Sequence, residues 1–88
     1  MTPDRFPDWW EWPLELTPHI EKRMEERGFS EIDLRSMMES PREILADRFT
    51  GRWIIRCHHR KQDWEVIVEP DQEERLIVVI TAYRKENS

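Results

Sequence analysis

Beyond Pro41 the hydrophobic pattern of the chain changes from a helical period to a period of two, and this change restricts the fold more than any other feature. The run RWIIRCHHR, residues 52–60, shows it best. Strand side chains switch faces at every residue, so Trp53, Ile55 and Cys57 point one way. Arg52, Ile54, Arg56, His58 and Arg60 point the other. Similar alternation predicts strands over residues 43–49, 52–58, 64–69 and 76–83, separated by Thr50-Gly51, a polar turn at 60–63 and a polar loop at 70–74. The last of these is apolar on both faces and should be central or covered.

Upstream, two helices are marked by their ends. Thr17 reads as an N-cap, Pro18 as the first helical residue and Gly28 as the stop. Ser30 and Asp33 read as a capping box for a second helix that ends at Ser40-Pro41, with Ile32, Leu34, Met37 and Met38 as its apolar positions. Residues 14–16 suit a short edge strand. The expected architecture is α+β: two N-terminal helices packed on a four-stranded antiparallel sheet. Trp53, Ile55, Cys57, Trp64, Val66 and Val68 should face the helices.

Residues 1–13 form an arm rich in tryptophan and proline, and residues 14–88 a single domain. Three prolines oppose regular structure in the arm. Trp9, Trp10 and Trp12 are costly to leave in water, so the arm should lie on its own domain, partly roofing the polar sheet face, or bind a partner protein or a second copy of the chain. The terminal residues 84–88 should fray.

Several function classes are excluded or disfavoured. The 88 residues hold one domain with a thin core. The longest apolar run is far short of the roughly 20 residues a membrane helix needs, and no secretory leader is visible, so a cytoplasmic location is expected. Cys57 is the only cysteine, which excludes an internal disulfide and multi-cysteine zinc. It falls on the inward face and reads as a small buried hydrophobe. Gly28 and Gly51 are the only glycines, so the common nucleotide loops are absent and no cofactor is expected. His58 and His59 are adjacent and face opposite ways on a strand, so no metal site is expected either.

Charge supplies the clearest local hint. The chain carries a net charge of −5, yet residues 48–61 hold five Arg or Lys and no Asp or Glu. Arg52, Arg56 and His58 on one strand face suit contacts to an anionic backbone such as RNA, unless neighbouring acids simply pair with them. A second constellation is His19 and Arg23, one turn apart on the first helix, with Thr81 and Tyr83 on one face of the last strand. Metal-free RNA cleavage needs a proton acceptor, a cation for the phosphate and a donor for the leaving oxygen, and these are suitable residue types.

The run TPHIEKRMEERGFSEIDL, with the later segments GRWIIRCHHR, WEVIVEP and LIVVITAYR, resembles the family named domain of unknown function 4258. That family is similar to the wider barnase, EndoU, colicin and RelE-like group, many of whose members are toxin-system RNases. The resemblance spans residues 14–84. It implies an α–α–β–β–β–β core and a small metal-independent endoribonuclease restrained by an antitoxin protein. It also implies His19 as general base or acid, Arg23 as a phosphate clamp, and Thr81 and Tyr83 as positioning or donor groups. RelE-like toxins tend to be basic, whereas residues 1–47 here hold 6 basic and 12 acidic side chains. Non-specific RNA affinity comes largely from phosphate neutralisation, so an acidic body demands a focused site.

Overall fold

A computed structural model of the chain describes residues 6–85. Expectations for residues 1–5 of the arm and for fraying at residues 86–88 lie outside the described residues.

The helices form where their caps demand. A short strand, β1 (Leu14–Leu16), runs into Thr17, whose Oγ1 accepts from Ile20 N at 3.2 Å and opens α1 (Pro18–Arg27). Gly28 closes α1 at φ 70°, a left-handed conformation that glycine adopts at least cost. Ser30 then caps α2 (Glu31–Glu39) through a complete capping box with Asp33. Ile20, Leu34, Met37 and Met38 are the buried apolar residues of the two helices.

Four strands follow: β2 (Pro41–Ala46), β3 (Trp53–His59), β4 (Gln62–Asp71) and β5 (Leu76–Arg84). They pair as an antiparallel meander, and the spatial order is β1-β5-β4-β3-β2. The sheet therefore has five strands and is mixed, not four-stranded and antiparallel as expected. The difference is β1, which lies parallel to β5 with Leu14 opposite Ile77 and Leu16 opposite Val79. Ile77 N donates to Pro13 O at 2.8 Å and Thr17 Oγ1 to Val79 O at 3.1 Å. Those bonds cover backbone groups that β5 would otherwise present as an open edge.

Strand limits also differ from expectation, for identifiable reasons. Arg60 and Lys61 lie at φ 52° and 65°, the left-handed pair that a two-residue hairpin turn requires. Pairing therefore extends to His59 opposite Gln62, where a longer polar turn was expected. At the other end of β3, Asp47 N donates to Arg52 O and Arg52 N to Phe49 O, closing a loop that takes residues 47–49 out of β2.

The helices cover one sheet face. As the alternation predicts, Ile55, Cys57, Trp64, Val66 and Val68 join Ile20, Leu34 and Met37 in one buried cluster, with Trp53 packed against it. Trp9 belongs to that cluster, with its ring 5.7 Å from that of Trp53. Trp10 and Trp12 are partly buried beside it. The described part of the arm thus extends the helix-side core through its three tryptophans, and these do not roof the polar face. An indole buries more apolar area against Trp53 than over a face of arginines and glutamates. Trp64 stacks edge-on against Phe29.

One irregularity sets the opposite face. The register shifts between Ile67 and Val68, which pair with Thr81 and Val79, so Ile80 is an extra residue in β5. Beyond that bulge Ala82 is buried opposite Val66, and Thr81 and Tyr83 fall beside Ile67 and Glu65 on the outer face. No helix is long and apolar enough to cross a membrane.

Candidate functional site

The register aligns Arg56, Glu65 and Tyr83 as one row across β3, β4 and β5. Ile54, Ile67 and Thr81 form the next row. Glu65 is the pivot. Tyr83 Oη donates to its Oε1 at 2.6 Å, Arg56 Nε donates to its Oε2 at 2.8 Å, and Lys85 Nζ stands 3.7 Å away. Glu65 is only 7% exposed, an uncommon burial for glutamate that these partners make tolerable.

The same contacts govern protonation. Burial pushes the Glu65 carboxyl up, but the Tyr83 hydroxyl, Arg56 and Lys85 together outweigh it and leave it below its usual range. Burial and the neighbouring Glu65 push the Tyr83 hydroxyl up to about 12. The Glu65 hydrogen bond, aided by Glu43, raises the Arg56 guanidinium further despite its partial burial. At neutral pH the row is therefore an anion held between a permanent cation and a protonated phenol.

Two of the residues expected to act are thus joined, Tyr83 to Arg56 through Glu65. Others stand apart. Arg52 and His58 share the Arg56 face, but Arg52 Nε lies 3.4 Å from Glu69 and His58 Nδ1 2.9 Å from Asp63. Asp63 is held below its usual range, first by His58. Each expected RNA-binding side chain therefore already meets an acid, though these pairs are part-exposed and weak. Arg23 is tied within its own helix to Glu26 at 2.6 Å. His19 is exposed on α1, and no hydrogen bond links it or Arg23 to Thr81 or Tyr83 among the described residues. Thr81 is half-buried in the row beside Tyr83.

Three participants were missed by sequence reasoning. Glu65 had a signal, since it is an acid inside the apolar run WEVIV, aligned with Arg56 across the hairpin. Phe49 was read as a strand end, but it sits in the β2–β3 loop, 56% exposed, with the Arg48 and Arg52 guanidiniums 5.7 and 5.6 Å from its ring centre. Asp33 was read as a cap alone. It also accepts from His59 Nε2 and Arg60, both at 3.0 Å. The Ser30 backbone bond, then His59, hold its carboxyl down at about 2.

Among the described residues, no group of three or more His, Cys, Asp or Glu is arranged to hold a metal ion. Cys57 is buried, and desolvation pushes its thiol up to about 12. Trp10 and Trp12, placed as partner-binding residues by their type, line a cavity of about 370 Å³ with Leu14, Met38 and Ile77.

The family described as Domain of unknown function (DUF4258) matches residues 16–84, all but the arm, most of β1 and the terminal residues. The chain belongs to that family. The DUF4258 match includes Arg56, Glu65 and Tyr83, and it also includes His19. No curated protein matches the chain, and no solved structure does.

Proposed function

We propose that this DUF4258 domain is a RelE-like, metal-independent endoribonuclease of the toxin type, and that its outer sheet face carries the chemistry. The observation that carries this reading is the Arg56–Glu65–Tyr83 row, in which one buried carboxylate holds a guanidinium and a phenol side by side. In this reading Arg56 neutralises the scissile phosphate. Glu65, kept ionised, takes the proton of the attacking 2′-hydroxyl. The new bond joins O2′ to phosphorus as the bond to O5′ breaks, and Tyr83 gives its proton to the departing O5′. The products are a 2′,3′-cyclic phosphate and a 5′-hydroxyl. The proton on Glu65 then returns to Tyr83 along their 2.6 Å hydrogen bond, which resets the site.

Phe49 supports the same substrate. It lies on the loop leading into the Arg52–Arg56 strand face, its ring beside Arg52, which is four residues, about 13 Å of extended backbone, from Arg56. An exposed ring flanked by guanidiniums is a suitable platform for an unpaired base.

The test is cleavage of single-stranded RNA by the purified protein in EDTA. Glu65→Gln, Arg56→Gln and Tyr83→Phe should each reduce the rate about 100-fold or more, the scale of a lost acid, base or charge partner. His19→Ala should retain activity. Loss in His19→Ala with survival in Glu65→Gln would return the chemistry to the helix, and an inactive wild type would remove the nuclease reading.

A second reading is a protein-interaction module, favoured by the cavity of about 370 Å³ between the tryptophan arm and α2. Trp12→Ala would then change the oligomeric state or partner binding, read by light scattering, and leave RNA cleavage intact.

A further inference from the structure

At the hairpin end of the sheet, on the helix side, a second cavity of about 140 Å³ opens between the α1–α2 junction, the Arg60-Lys61 turn and the end of β5. Arg27, Arg60, Arg84, His59, Asp33 and Trp64 are among its walls. One acid therefore faces three guanidiniums. Asp33 is fully engaged: its Oδ2 accepts from Ser30 N and Oγ, and its Oδ1 from His59 and Arg60. Among the cavity's three arginines, only Arg60 is paired with it.

Among the described residues, the other two arginines have only neutral partners. Arg27 donates to the Ala82 carbonyl at 2.6 Å, and Arg84 to the Gln62 side-chain carbonyl at 3.3 Å. Among the described residues neither forms an ion pair. In a chain with an excess of acids, two guanidiniums on one concave surface that no described acid answers are unusual, because like charges repel unless an anion joins them. Trp64 adds a second sign of an incomplete site. Its Nε1 is buried with no acceptor among the described residues, a state that costs a folded protein unless something supplies one.

We infer that this cavity binds a phosphate group, held by Arg27 and Arg84 across its mouth. The cavity is too small for a length of nucleic-acid strand, so the ligand is a terminal phosphate or a free one. Guanidiniums suit it because each offers paired N–H donors in the spacing of two phosphate oxygens. The site is distinct from the Arg56–Glu65–Tyr83 row, since Arg84 and Tyr83 are consecutive in β5 and point to opposite faces. It does not depend on the nuclease reading.

The test is calorimetric titration of the full chain with inorganic phosphate at low ionic strength, against chloride at matched ionic strength. The wild type should bind phosphate. Arg84→Gln should weaken binding about tenfold while leaving thermal stability nearly unchanged, because Arg84 is exposed and has only a neutral partner. Arg27→Gln should weaken phosphate binding likewise. Arg35→Gln, which removes an exposed cation elsewhere on the molecule, should bind as the wild type does. A second arm compares one RNA oligonucleotide with a 5′-phosphate and with a 5′-hydroxyl. Preference for the phosphorylated form, lost in Arg84→Gln, identifies an RNA end as the source. Equal binding of the two forms, with inorganic phosphate still bound, identifies the free ion. No phosphate binding by the wild type, or equal binding by wild type and Arg84→Gln, would overturn the inference.

Discussion

Tyr83→Phe isolates the central contact of the outer face, because it keeps the ring and removes only the hydroxyl that donates to Glu65 at 2.6 Å. A hydrogen bond to a charged group contributes about 1.5–3 kcal/mol. Tyr83 is half-buried, which places the expected loss near the lower end, about 1.5 kcal/mol. The pH dependence is more diagnostic. The Tyr83 hydroxyl is raised from 10.0 to about 12, so the bond stabilises fully below pH 10 and is lost as pH rises towards 12. Glu65 is held below its usual range, so its contribution is present above that range and lost as pH falls through the folded value. Without the phenol the Glu65 carboxyl loses a donor, and the acid loss should begin at higher pH. Tyr83 is the chain's single tyrosine, so phenolate absorbance reports this group alone. The assay is urea unfolding followed by tryptophan fluorescence from pH 4 to 11.5, beside a spectrophotometric titration of the native protein. The wild type should lose its margin over Tyr83→Phe above pH 10. A native tyrosine that titrates at its ordinary value, or equal stability of the two proteins at pH 7, would refute the network.

Two further outcomes follow from single positions. Lys61→Gly should stabilise the protein by about 1 kcal/mol in urea unfolding, because Lys61 holds φ 65° in the hairpin turn at a cost that glycine does not bear; a destabilised variant would show that the turn is not strained. Cys57, buried with its thiol at about 12, should resist alkylation at pH 8 in the native protein and react fully in denaturant, read by mass spectrometry.

What could be read from the chain was what depends on neighbours in sequence. Thr17, Gly28, Ser30 and Asp33 act within one turn of their own positions, so the helices were legible to within a residue. The alternation in residues 52–60 and 64–69 divided inward from outward side chains correctly, because a strand's faces are fixed by parity. Pairing of β1 with β5 was not legible, since it joins residues more than 60 positions apart through three residues of ordinary composition. The bulge at Ile80 was hidden for the same reason, as it exists only in the register against β4. The expected site divided along this line. Arg56 and Tyr83 could be placed on one face by parity, but the carboxylate joining them needed the register. His19 and Arg23 were grouped with Thr81 by residue type, and type carries no distance.

The end of β5 brings these features together. Tyr83, Arg84 and Lys85 follow one another, and alternation sends Arg84 to the helix side while Tyr83 and Lys85 meet Glu65 on the outer side. Three residues thus equip both faces of one sheet end for anions, and neither Arg84 nor Arg27 across from it is answered by a described acid. The acids of the chain are concentrated instead in residues 1–47, with a further group in the β4–β5 loop around Glu73 and Glu74. Field strength falls within about 8–10 Å at physiological salt, so a docked phosphate responds mainly to the charged groups that wall its site, Asp33 among them. Binding at either face should then weaken with salt according to the few local cations it engages, and the modest slope would separate this domain from a broadly basic RNA-binding protein.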